Sequence, residues 1–104
     1  MASVYSISIA QVQGLDGDQV VFVPASHVFV VRDIWAYWNS SSELFAKLHV
    51  SGDDGQTFFF ALWTTLDADP LAFWQGRAVI QNHITLSTDN PVDITVSGYL
   101  LSLP

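Results

Sequence analysis

The sequence predicts an all-β protein, a jelly-roll-like antiparallel β-sandwich of about eight strands. Three observations carry this. Short apolar runs alternate with period two, the mark of strands with one face buried. Clusters of Gly, Asp, Asn, Ser and Pro separate these runs at spacings of roughly ten residues, as in sandwiches and barrels. No long stretch keeps a helical period. The 104 residues fit one β-sandwich domain, 1–104, and half of them are apolar, enough for a core at this size.

Residues 3–12 open with Tyr5, Ile7 and Ile9 on one face and Ser6, Ser8 and Ala10 on the other, which is a strand. Gly14-Leu15-Asp16-Gly17-Asp18 reads as a turn. A short strand, 19–23, stops at Pro24-Ala25-Ser26. Residues 27–38 are the longest candidate, with Val28, Val30, Ile34 and Ala36 on one parity and Phe29, Val31, Trp35 and Tyr37 on the other. A sandwich buries one face of each strand, so the second apolar face calls for a helix, a loop or another subunit. A loop at 39–42 leads to strand 43–51, with Leu44, Ala46, Leu48 and Val50 inward. The turn Ser51-Gly52-Asp53-Asp54-Gly55 leads to 56–65, where Phe58-Phe59-Phe60-Ala61-Leu62-Trp63 is again apolar on both faces.

Asp67-Ala68-Asp69-Pro70 suits one helical turn. Leu71, Phe73 and Trp74 would then cap one end of the sandwich. Strands 76–80, 84–88 and 92 onward complete the set, with turns at Gln81-Asn82-His83 and Asp89-Asn90-Pro91. Gly98 interrupts the last strand. Glycine there marks a bulge or a close approach, and the ring of Trp74 is expected over it.

Composition narrows the function. Three basic residues against ten acidic ones give a net charge of −7. That balance argues against nucleic acid and against membrane headgroups, since phosphate binding needs Lys and Arg. The first residues carry no basic stretch followed by an apolar run, so no signal peptide is expected. No run is long and apolar enough to span a bilayer as a helix. Without Cys there is no thiolate ligand and no thiol nucleophile. Charged residues are only 12% of the chain, about half the usual share. A small domain with so few charges leaves apolar surface uncovered, and such surface meets a partner or is replaced by Ser, Thr, Asn and Gln.

Enzyme chemistry finds no support. His27, His49 and His83 are isolated, where a metal site needs three or four converging ligands. Asp16 and Asp18 only faintly resemble a calcium loop, because the rest of that pattern is missing. No His stands near a nucleophile in a spacing that suggests a triad. The paired carboxylates Asp53-Asp54 and Asp67 with Asp69 sit in turns, where Asp is expected for local reasons. No cofactor is expected. Arg32, Asp33, Arg77 and Asp93 interrupt apolar strands, and Arg77 with Asp93 is a plausible cross-strand pair, unless each is a rim charge.

The aromatic residues allow two readings. They suit a sugar-stacking platform, or a core and interface. The doubly apolar strands place Trp35, Tyr37, Phe59 and Trp63 at an interface. The last strand adds Tyr99, Leu101 and Leu103, because its outer parity begins polar and ends apolar. A homo-oligomer is therefore expected, with a trimer favoured.

Several segments carry a resemblance. Met1-Ala2-Ser3-Val4-Tyr5, Phe29-Val30-Val31-Arg32-Asp33-Ile34, Gly55-Gln56-Thr57, Phe73-Trp74-Gln75-Gly76-Arg77 and Val96-Ser97-Gly98-Tyr99-Leu100-Leu101 resemble small virion structural proteins of long-tailed bacteriophages of actinobacterial hosts. The similarity covers nearly the whole chain. It departs at Asn82-His83, where many of those proteins carry Pro-Gly. The resemblance implies a non-enzymatic component located in the virion, with other virion proteins such as the major capsid protein as partners. Capsid decoration is the first choice. A neck or tail-tip component is the alternative, including a carbohydrate-binding host-attachment module that would take a glycan.

Overall fold

The computed structural model describes residues 4–38, 44–64 and 70–103. These form six strands: β1 (Val4–Phe22), β2 (His27–Tyr37), β3 (Phe45–Ser51), β4 (Thr57–Thr64), β5 (Leu71–Ile80) and β6 (His83–Ser102). All pairings are antiparallel. The order is β4-β3-β6-β2-β5, with β1 on the other edge of β6, and the sheet is nearly closed into a barrel. The loop expected at 39–42 and the helical turn expected at Asp67-Ala68-Asp69 lie outside the described residues.

Six strands stand where eight were expected, because two of the expected turns do not reverse the chain. β1 runs through Gly14 to Asp18, and β6 runs through Asp89-Asn90-Pro91. The two long strands pair with each other on both sides of these bends, from Val4↔Leu101 to Phe22↔His83. Positive φ at Gly14 (64°), Gly17 (119°) and Asn90 (72°) bends them together. The ladder is interrupted there, and side chains replace it. Asp93 Oδ1 accepts from the Gly14 amide at 2.7 Å, and Asp16 Oδ1 accepts from the Asn90 amide at 3.2 Å. The buried Thr88 hydroxyl donates to the Leu15 carbonyl at 2.6 Å and accepts from the Gly17 amide at 3.1 Å. Asp18 Oδ1 accepts from the Ser87 hydroxyl at 2.6 Å. Asp16 and Asp18 thus close a strand corner. Asp93 does the same, and the expected Arg77–Asp93 pair is not formed: β2 lies between the strands that carry them.

The bent ribbon serves two groups of neighbours. The residues of β6 before the bend pair with β3, at Thr85 to Asp89. Those after it pair with β2, at Asp93 to Ser102. One group of strands therefore reads β1-β6-β3-β4 and the other β1-β6-β2-β5. The molecule measures 50 × 20 × 20 Å.

A bulge switches which parity of β2 enters the core, and before it Val28 and Val30 are buried on the other face as well. Val31 pairs with Gly98 and Asp33 with Ser97, so Arg32 is extra. Before the bulge the odd residues Phe29 and Val31 enter the core. After it the even residues Ile34 and Ala36 do. Trp35 and Tyr37 therefore face outward. Gly98 is required at this bulge for a reason other than the expected ring. A Cβ there would lie 2.0 Å from the Val30 carbonyl oxygen, so the bulged backbone of β2 occupies its place. The Trp74 ring instead covers Gly76, where a Cβ would meet it at 2.7 Å. Leu71, Phe73 and Trp74, expected to cap an end, are ladder residues of β5 opposite Tyr37, Trp35 and Ile34.

The core takes Val31 and Ile34 from β2, Leu48 and Val50 from β3, and Ile84, Leu86, Val92, Ile94 and Val96 from β6, all essentially without solvent exposure. Each such side chain contributes about 1.5–3 kcal/mol. Leu44, expected inward, precedes β3 and is exposed. Phe58 and Trp74 meet edge to face at 5.3 Å between β4 and β5. The Asp53 carboxylate accepts from the amides of Gln81 (2.7 Å), Asn82 (2.7 Å) and His83 (3.1 Å), which ties the β3–β4 turn to the β5–β6 turn.

Candidate functional site

The outer faces of the sheet hold the candidate site. On β2 and β5, Trp35 and Phe73 pair across the ladder with ring centroids 4.5 Å apart. They remain 46% and 43% exposed, so each covers the other without being covered from outside. Tyr37 and Leu71 continue the row one ladder step on, and both are exposed. Beside Trp35 and Tyr37, a hollow of about 180 Å³ is bordered by Gln11, Gln13, Asp93 and Thr95. The outer face of β3 and β4 also carries apolar side chains. Phe60 and Leu62 of β4 are exposed, His49 meets Phe60 edge-on at 4.8 Å, and Lys47 Nζ lies 5.8 Å from the exposed Phe45 ring.

Not all seven expected interface residues lie on these faces. Trp35 and Tyr37 do. Phe59 and Trp63 do not: Trp63 is 2% and Phe59 9% exposed, and both belong to the core of their own chain. Their parity on β4 alternates with Phe60 and Leu62, which take the outer face instead. Tyr99 and Leu101 sit half-buried on the outer parity of β6, opposite Val30 and Val28. Leu103 is exposed just past β6, held by its amide donating to the Ser26 carbonyl at 2.8 Å. Phe73, Leu71, Phe60 and Leu62 escaped the sequence reading. Strand alternation alone would have found Phe60 and Leu62 once Phe59 was placed inward. Phe73 and Leu71 required knowing that β5 starts at 71.

Polar chemistry on the surface is local. Asp53 is the titratable group with a clear shift. Burial works to raise its pKa, but the amides of Gln81, Asn82 and His83 and the charge of His83 outweigh it and hold the carboxyl below its ordinary 3.8. No group of three or more His, Cys, Asp or Glu converges as a metal site among the described residues. The His27 ring is engaged locally, its Nδ1 lying 2.8 Å from the Ala25 carbonyl.

No protein-family model matches the chain, and no curated protein sequence matches it. Among solved structures, that of infectious bursal disease virus, Gx strain, is similar over 98% of this chain, with 13% identity and a TM-score of 0.41. This chain spans 32% of the length of that one.

Proposed function

We propose that this chain is a non-enzymatic virion structural protein that assembles with copies of itself and with other virion proteins through the outer face of β2 and β5. The observation that carries this reading is the exposed row Trp35, Tyr37, Leu71 and Phe73. Large aromatic groups left uncovered side by side are the usual content of a protein interface. The resemblance to phage virion components supplies the setting, with capsid decoration as its finer form and a trimer as the favoured state. A jelly roll is the finer form of the fold. The two four-strand orders, β1-β6-β2-β5 and β1-β6-β3-β4, support it, with the corners of β1 and β6 dividing each long strand in two.

The test is the pair Trp35→Ser and Phe73→Ser made together. Both side chains are half exposed, so the monomer should stay folded, while its oligomer and its occupancy on particles should fall. Unchanged sedimentation and unchanged occupancy would refute the reading. Copy number then separates the finer forms: hundreds per particle mean decoration, a dozen or fewer the neck or tail tip. A second reading, glycan binding, has its own observation. The hollow beside Trp35 and Tyr37 is edged by Gln11, Gln13, Asp93 and Thr95, the mixture of ring faces and amide or carboxylate groups that sugars use. Saturable binding on a glycan array, lost in Trp35→Ser, would favour it.

A further inference from the structure

The chain has two arginines, and the fold brings both to one hollow. Arg32 and Arg77 line a concavity of about 240 Å³ with Val30, Tyr99 and Leu101. Sequence neighbours do not explain this, since the two lie 45 positions apart on different strands. The bulges do. Arg32 is the extra residue of β2, and Gly76 and Arg77 are unpaired on β5 between Gln75↔Asp33 and Ala78↔Val31. Bulges commonly re-aim a side chain in this way. Arg32 is also held in place. Its Nε donates to the Gly76 carbonyl at 3.1 Å, and its guanidinium carbon lies 5.9 Å from the Tyr99 ring centroid. Asp33 does not line this hollow; it borders the adjoining one, with Ser97 and Gly98, which Arg32 and Tyr99 also line.

Two like charges share a small recess in a chain whose net charge is −7. That concentrates most of the molecule's positive charge at one spot. A guanidinium fork matches a carboxylate, and the walls Val30, Tyr99 and Leu101 suit the carbon chain behind it. We infer that Arg32 and Arg77 form a carboxylate-binding site that receives an acidic turn from a second copy of this chain. Charge complementarity selects the occupant. Ten acidic residues make two copies repel wherever acid meets acid, and this recess is where they attract. The inference rests on the assembly reading above and adds to it the contact that sets the register between copies.

Sedimentation of the full chain tests it, comparing wild type with Arg77→Glu and Arg77→Lys at low and high salt. Self-association should weaken about tenfold or more in Arg77→Glu, less in Arg77→Lys, and should fall as salt rises. Association that ignores both the substitution and salt would overturn the inference. The assembly reading would survive that result if the variant carrying Trp35→Ser and Phe73→Ser still lost association. A wild type that stays monomeric at about 0.1 mM would overturn the inference as well. Saturable uptake of inorganic phosphate by a protein that does not associate would show a free anion as the occupant, and would overturn the assignment to a second copy.

Discussion

The two strand groups of this molecule share β1 and β6 and differ in regularity. In the β3–β4 group the alternation is clean. Ala46, Leu48 and Val50 stand opposite Trp63, Ala61 and Phe59, all in the core, and the one register shift between β3 and β4 sits beside the hairpin turn. In the β2–β5 group a line of bulges crosses the sheet. β1 is bulged at Ile9, β2 at Arg32 and β5 at Gly76 and Arg77, all near the level of Ser97 and Gly98 on β6. The regular group presents outer side chains in an even row. The irregular group gathers both arginines around one hollow with Tyr99 and turns Trp35 and Tyr37 outward. Bulges interrupt the ladder, and here they also choose which side chains the surface offers.

The line of bulges depends most directly on Gly98. Gly98→Ala places a Cβ where the Val30 carbonyl already is, and backbone cannot yield as a side-chain tip does. A loss of about 3 kcal/mol or more is expected in chemical denaturation. An unchanged midpoint would mean that the bulge does not depend on this residue. Next comes the corner of β1 and β6 that both strand groups share. Thr88→Val keeps the shape but removes the hydroxyl that serves the Leu15 carbonyl and the Gly17 amide. Part-buried groups left without partners should cost about 2 kcal/mol. Exchange of the Gly17 amide with solvent deuterium should speed up at the same time, and unaltered protection there would argue that water fills the role.

The smallest effect is expected at the β3–β4 turn. Asp53→Ala releases three amides at a partly exposed turn, and about 1 kcal/mol should be lost. Because the folded state holds this carboxyl below 3.8, the stability it provides is fully present above the unfolded pKa. It disappears as pH falls through the folded value. Wild type and Asp53→Ala should therefore differ in melting temperature near neutral pH and converge in strong acid. A gap that stays constant with pH would assign the effect to packing.

Much of the fold was legible because the inward rows were. Ile84, Leu86, Val92, Ile94 and Val96 keep one parity along β6, and all are buried as their alternation implies. The strand count was less legible. Gly14 to Asp18 and Asp89 to Pro91 have turn composition, and turn composition also serves a bend inside a continuous strand. Which of the two occurs depends on whether a partner follows around the corner, and β1 and β6 do this for each other.

By itself, then, the sequence determined the all-β class, the row of core residues on β6 and the excess of apolar groups over charges. Those follow from local alternation and composition, which require no knowledge of neighbours. Tertiary structure alone decided that Trp63 and Phe59 are core while Phe60, Leu62 and Phe73 are surface. It also decided that Gly98 yields to a carbonyl and that Arg32 meets Arg77. The reason is the pleat. One inserted residue reverses every later side chain in a strand, and an insertion is defined only against the strand it pairs with.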